Sequence, residues 1–141
     1  MRWLFPLVLL ALGACALHES GTWDDDPRNW DRAFPGVKPE GVTVVHSRYH
    51  RSPHFTLEYE YFFELEPTPE LRRQLIDAKN LRVVERDAAS RARGHRDGLP
   101  EWFAPEAITD YEVWVPEDPA SGYAVLVDRR TGRLFVTDSQ L

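Results

Sequence analysis

The stretch "FTLEYEYFFELE", Phe55 to Glu66, sets Phe55, Leu57, Tyr59, Tyr61, Phe63 and Leu65 in alternation with Thr56, Glu58, Glu60, Phe62, Glu64 and Glu66. Successive side chains of an extended backbone point to opposite sides, so this period of two predicts a half-buried strand. Directly before it, "VTVVHSRY", Val42 to Tyr49, is rich in β-branched residues and reads as a second strand, with "HRSP" as the hairpin loop between them. With Pro53 in that loop, positions whose numbers sum to about 104 face each other. Val45 is then set against Tyr59, Ser47 against Leu57 and His46 against Glu58, with the odd-numbered side chains toward the core.

Outward from this hairpin, Asp26-Pro27 reads as a helix start with Asp26 at the N-cap and Pro27 at the first helical position. Trp30 and Phe34 fall four apart on one face of that short helix and are expected to dock onto the sheet, and Pro35-Gly36 ends it. Thr68-Pro69 opens a second helix over "PELRRQLIDAK", where Leu71, Leu75 and Ile76 form an apolar stripe that stops at Asn80. Leu81 to Val84 is a brief extended segment, and Ala88 to Gly98 lacks large apolar residues and reads as loop or frayed helix. "YEVWV", Tyr111 to Val115, is a third strand. "YAVLVDRRTGRLFV" holds two more, joined at Asp128 to Gly132 by a turn whose glycine suits positive φ. The expected fold is α+β: a single domain with an about five-stranded antiparallel sheet and two or three helices packed on one face.

A length of 141 residues suits one domain, and 43% hydrophobic with 12% aromatic residues is a composition that folds. A net charge of −6 opposes nucleic-acid binding, which needs a basic stripe to neutralise phosphates. The single cysteine rules out an internal disulfide and a thiolate metal site.

That cysteine stands at the end of a distinctive leader. Arg2 supplies a positive start, Trp3 to Leu12 form an apolar run of ten residues, too short to span a bilayer, and the small residues Gly13 and Ala14 precede Cys15. Leu12-Gly13-Ala14-Cys15 resembles the lipobox of bacterial lipoproteins. The resemblance implies cleavage before Cys15, which then carries a diacylglycerol and an N-acyl chain as its only covalent additions. Two or more acyl chains make attachment to a bilayer stable where one is marginal. Ala16, in place of the aspartate that often retains such proteins in the inner membrane, implies the periplasmic face of the outer membrane. The competing readings are an ordinary secretory leader with a coincidental cysteine and a packed core thiol in an uncleaved chain. The division expected is residues 1–14 as lipoprotein signal peptide, 15–22 as lipidated tether and 23–141 as the globular domain. "WFAP" at Trp102, "YEVW" at Tyr111 and "DRRTGRLFV" at Asp128 also resemble, loosely, small uncharacterised bacterial lipoproteins, which implies no activity.

His46, His50 and His54 recur every four residues. Along a strand, His46 and His50 stand roughly 13 Å apart, too far to share one ion. A two- or three-ligand zinc site built from His46 with Glu58, or from His50 with His54 across the turn, is the metal candidate that remains. Solvated histidines beside cross-strand carboxylates are the plainer reading. No serine sits in a glycine-flanked strand-to-helix elbow, and with the thiol acylated no nucleophile stands out. Trp102 and Phe103, between Pro100 and Pro105, and Trp114, on the polar side of its strand by alternation, are the candidate protein-binding residues, because aromatic anchors are enriched in interfaces. The plainer reading has them capping the core. The expected function is a non-enzymatic lipoprotein without catalytic residues or cofactor, whose acidic domain binds an envelope protein or an incoming effector in envelope assembly or as an immunity-type inhibitor. The alternative is a small metal- or carboxylate-dependent hydrolase acting on envelope material.

Overall fold

Tyr59–Leu65, the apolar-rich end of the alternating stretch, forms a strand near the middle of a larger sheet. The computed structural model describes residues 19–53, 58–85, 89 and 98–140. Within them the chain runs through β1 (Gly21–Asp24), α1 (Asn29–Ala33), β2 (Val44–Arg51), β3 (Tyr59–Leu65), α2 (Pro69–Leu75), β4 (Arg82–Val83), β5 (Tyr111–Val115), β6 (Ala124–Asp128) and β7 (Leu134–Gln140). All seven strands pair antiparallel in one sheet of order β1-β2-β3-β7-β6-β5-β4.

This corrects the α+β expectation of about five strands with two or three helices on one face. The architecture is closer to all-β, and α2 is the only α-helix longer than five residues among the described residues. β1 escapes sequence reading because "GTWD" has neither β-branched repetition nor a clean alternation. It becomes a strand by completing the free edge of β2, with Thr22 opposite His50 and Trp23 opposite Tyr49. Helix α1 starts at Asn29 rather than Pro27. Asp26 instead closes a turn, its Oδ1 accepting the Arg28 N–H at 2.8 Å. Thr68 does cap α2, its Oγ1 accepting the Leu71 N–H at 3.1 Å, and Asn80 ends the following single turn of 3-10 helix in the left-handed region.

The β2–β3 register also differs from the expected one. His46 lies opposite Glu64, not Glu58, Tyr49 opposite Tyr61, and His50 opposite Glu60. The connection runs from Ser52 to Glu58, closed by the Ser52 N–H on the Glu58 carbonyl at 3.1 Å. From His46 to Arg51 the register slips by an even number of residues, so these side chains keep their predicted faces although their partners change. A bulge between Val44 and His46 then lets Val44 face one side and His46 the other.

Both faces of the sheet are covered. On one, Tyr61, Phe63, Leu65, Val125 and Val136 lie beneath Trp30 of α1, Phe34 at its end, and Leu71 and Leu75 of α2. On the other, Phe62, Tyr111, Val113, Leu126 and Phe135 lie beneath Phe103 and Ala104 of the segment between residues 98 and 110. We refer to these as the helix face and the loop face. Each Leu or Phe removed from water in this way contributes about 1.5–3 kcal/mol. Phe62 and Glu64, assigned to a solvated face by alternation alone, are therefore buried.

Candidate functional site

The loop face is closed by a short segment anchored on its aromatic pair. The Phe103 N–H bonds the Pro100 carbonyl at 2.9 Å, Ala104 adopts a φ of 42°, and the Phe103 ring meets Phe62 and Phe135 edge-on at 5.0 and 5.8 Å. This turns Trp102 outward to half-burial, stacked on the His46 ring at 5.3 Å with 24° between the planes. His46 Nδ1 in turn lies 3.3 Å from Asp25 Oδ2. Asp25, at a φ of 51°, is held by two bonds to Ser47: its N–H on the Ser47 carbonyl at 2.7 Å and the Ser47 N–H on Oδ1 at 2.8 Å. Asp25, His46 and Trp102 thus join β1, β2 and the covering segment in one surface cluster.

Beside Trp102 a cleft of about 280 Å³ opens between the covering segment and the β6–β7 turn. Its floor is Glu64, Tyr111 and Phe135, and Glu106 and Arg130 stand at its rim. Arg133 spans it, with Nη1 donating to Glu64 Oε1 and Nη2 to Glu66 Oε1, each at 2.7 Å. The hydrogen bond to Glu64, more than the neighbouring charge of Glu66, keeps the guanidinium ionised above its usual range. Arg133 Nε is buried without a hydrogen-bond partner among the described residues. Asp128 shapes the turn, its Oδ1 accepting the N–H groups of Arg130 at 2.7 Å and Thr131 at 2.9 Å. Those amides, with Thr131 contributing most, hold its carboxyl below the usual carboxylate range. Gly132, at a φ of 74°, returns the chain to β7 as the Asp128 to Gly132 turn predicts.

The sequence-derived candidates divide. His46 and His50 lie on the loop face but have separate partners, His46 on Asp25 and His50 Nδ1 with Thr22 Oγ1 at 2.8 Å. Glu58 lies at the loop end of β3, away from His46, and His54 falls outside the described residues, as does Cys15. Among the described residues no group of three His, Cys, Asp or Glu side chains is placed to hold a metal ion. Phe103, 2% exposed, is a core residue. Trp114 packs against the helix-face core, its Nε1 donating to Glu112 Oε1 at 2.6 Å and the Arg72 guanidinium 5.5 Å from its ring. Trp102 is the one of the three that lines the cleft beside the β6–β7 turn.

Glu64, Arg133 and Asp25 went unrecognised in the sequence. "DRRTGR" held a usable signal: a turn glycine immediately before Arg133 sets that side chain at the residue leading into the returning strand, beside its neighbours. No helix among the described residues is long and apolar enough to cross a membrane. No family model, curated protein or solved structure matches the chain.

Proposed function

We propose that the protein is a non-enzymatic lipoprotein, anchored through Cys15 to the periplasmic face of the outer membrane, whose acidic domain binds an envelope protein or an incoming effector. The observation that carries the reading is Leu12-Gly13-Ala14-Cys15, standing after a charged start and a ten-residue apolar run. β1 begins at Gly21, six residues beyond Cys15, and six extended residues reach at most roughly 20 Å, which keeps the domain beside its membrane. The half-buried Trp102, flanked by His46 and the exposed Glu106, is the contact residue favoured for a protein partner, because a large ring held at a defined angle loses little entropy on binding.

The test is acyl labelling of the full chain expressed in a Gram-negative host. Wild type incorporates labelled palmitate and sediments with outer membranes, while Cys15→Ala is unlabelled and uncleaved or soluble. Equal labelling of the two overturns the anchor. For the binding half, cross-linking in intact cells traps one stoichiometric envelope partner, and Trp102→Ala abolishes the adduct while keeping the folded spectrum. An adduct that survives that change removes Trp102 from the interface.

A further inference from the structure

We propose that Tyr59 is the site at which the domain is oxidised by one electron, its phenolic proton passing to Asp138, and that Trp23 feeds it through Tyr49. The register of the sheet assembles these parts. Trp23 lies opposite Tyr49 and Tyr49 opposite Tyr61, with Tyr59 two positions earlier on the same face. Ring centroids are 6.2 Å apart from Trp23 to Tyr49, 6.4 Å from Tyr49 to Tyr59 and 6.1 Å from Tyr59 to Tyr61, and the three phenol planes agree within 12°. An electron crosses gaps of this size between packed rings without the rings having to move.

What singles out Tyr59 is its base. A phenol that loses an electron becomes strongly acidic, so oxidation is favoured where the proton has an acceptor. Of the tyrosines on the helix face, Tyr49, Tyr59, Tyr61 and Tyr123, Tyr59 is the one whose hydroxyl donates to a carboxylate among the described residues, Asp138 Oδ2 at 3.1 Å. Tyr123 donates to the Leu75 carbonyl at 3.2 Å, an acceptor but not a base. Tyr59 is also half-buried where the other three are buried, so a diffusing reductant reaches it. At the sheet edge the half-buried Trp23 has the Arg32 guanidinium over its ring, 4.4 Å from the centroid. A positively charged indole is disfavoured beneath a cation, even one paired with Asp26 at 3.2 Å, so a hole entering at Trp23 moves on toward the carboxylate.

The step balances with a freely diffusing one-electron oxidant of the carbonate-radical class. The oxidant gains the electron, the O–H bond of Tyr59 breaks, and its proton forms a new O–H bond on the Asp138 carboxylate, leaving a neutral tyrosyl radical. An ascorbate-type reductant then returns the electron while Asp138 returns the proton, which restores the starting pair. The relay stands on the geometry of the folded domain and needs neither the lipid anchor nor a protein partner.

The experiment is flash photo-oxidation of the full chain in detergent with ruthenium(II) tris-bipyridine and persulfate, followed by electron paramagnetic resonance and by mass-spectrometric mapping of a nitroso spin-trap adduct. Wild type is expected to give a tyrosyl signal whose adduct maps chiefly to Tyr59. Tyr59→Phe, which keeps the ring in its stack, loses that signal and leaves a longer-lived indolyl radical. Asp138→Asn keeps a hydrogen-bond acceptor but no base, and slows tyrosyl formation about tenfold or more. Trp23→Phe leaves the adduct on Tyr59 and lowers its yield. Three outcomes overturn the proposal: an adduct spread evenly over Tyr49, Tyr59, Tyr61 and Tyr123, an unchanged rate in Asp138→Asn, or an undiminished yield in Trp23→Phe.

Discussion

Arg133 Nη1 lies 2.7 Å from Glu64 Oε1, joining the residue just before the last strand to a carboxylate on the neighbouring strand, 69 positions earlier in the chain. The Glu64 side chain is 9% exposed and that of Arg133 35%, so the pair sits at the border of the core. Breaking a fully buried pair costs ~3–5 kcal/mol, because the remaining charge is left without a partner. With Arg133 partly solvated, Arg133→Ala should cost about 2 kcal/mol and Glu64→Gln less, measured by urea unfolding. A loss under about 0.5 kcal/mol for Arg133→Ala would show that water replaces the guanidinium.

The cap on α2 gives a cleaner local test. Thr68→Ala removes the acceptor for the Leu71 N–H and should destabilise the domain by about 1 kcal/mol, with Thr68→Ser restoring most of it. Equal stability of the alanine and serine variants would mean that burial of Leu71 holds the helix start without the cap.

Gly122 is a matter of space. A Cβ there would meet the Ser139 carbonyl oxygen at 2.4 Å, so Gly122→Ala must push the end of β7 away. A loss of about 1–3 kcal/mol is expected, with faster amide exchange near Ser139 than near Phe63. Exchange that quickens equally at both positions would point to global rather than local strain.

Stability should fall on acidification. The Arg28 side chain and N–H, then Arg32, hold the Asp26 carboxyl well below its ordinary value of 3.8. A depressed folded value contributes stability that is present above 3.8 and is lost as pH drops below it. Asp26→Asn should therefore flatten the dependence of unfolding free energy on pH in the acid range. An unchanged slope would show that Asp26 keeps its partners in the unfolded chain.

The alkaline side has its own marker. Burial, followed by the charge of Asp138, pushes the Tyr59 hydroxyl from 10.0 up to about 12, and that hydroxyl donates to Asp138 Oδ2 at 3.1 Å. A raised folded value contributes stability that is complete below pH 10.0 and lost as pH rises toward 12. Ultraviolet titration of tyrosinate should show that loss, and Asp138→Asn should move the Tyr59 signal to lower pH. If the signal stays in place, burial alone sets it.

The strands most legible in the sequence were those with a strong local pattern. Alternation through Tyr59, Tyr61, Phe63 and Leu65 marked β3, and Gly132 marked the last turn. Trp30 and Phe34 were recognisable as docking residues by their spacing, and they do meet Phe63 at 6.0 and 5.2 Å. β1 was illegible because its pairing edge, not its own residues, makes it a strand. The candidate site was harder still: Trp102 was visible as an aromatic in a proline-bounded loop, whereas Glu64 falls on the even-numbered side of its strand, away from the predicted core.

The sequence by itself determined the local periodicities, the cap at Thr68, the turn at Gly132 and which side of the sheet residues 46–51 and 59–65 take. Each of these depends on neighbours within a few positions, or on a parity that survives an even slip in register. Only the tertiary structure decided that seven strands share one sheet, that His46 faces Glu64, and that the loop face is covered. Those facts depend on where segments distant in the chain come to lie. Glu64 is buried and paired with Arg133, and Trp102 stands beside an open cleft, an arrangement that no local pattern encodes.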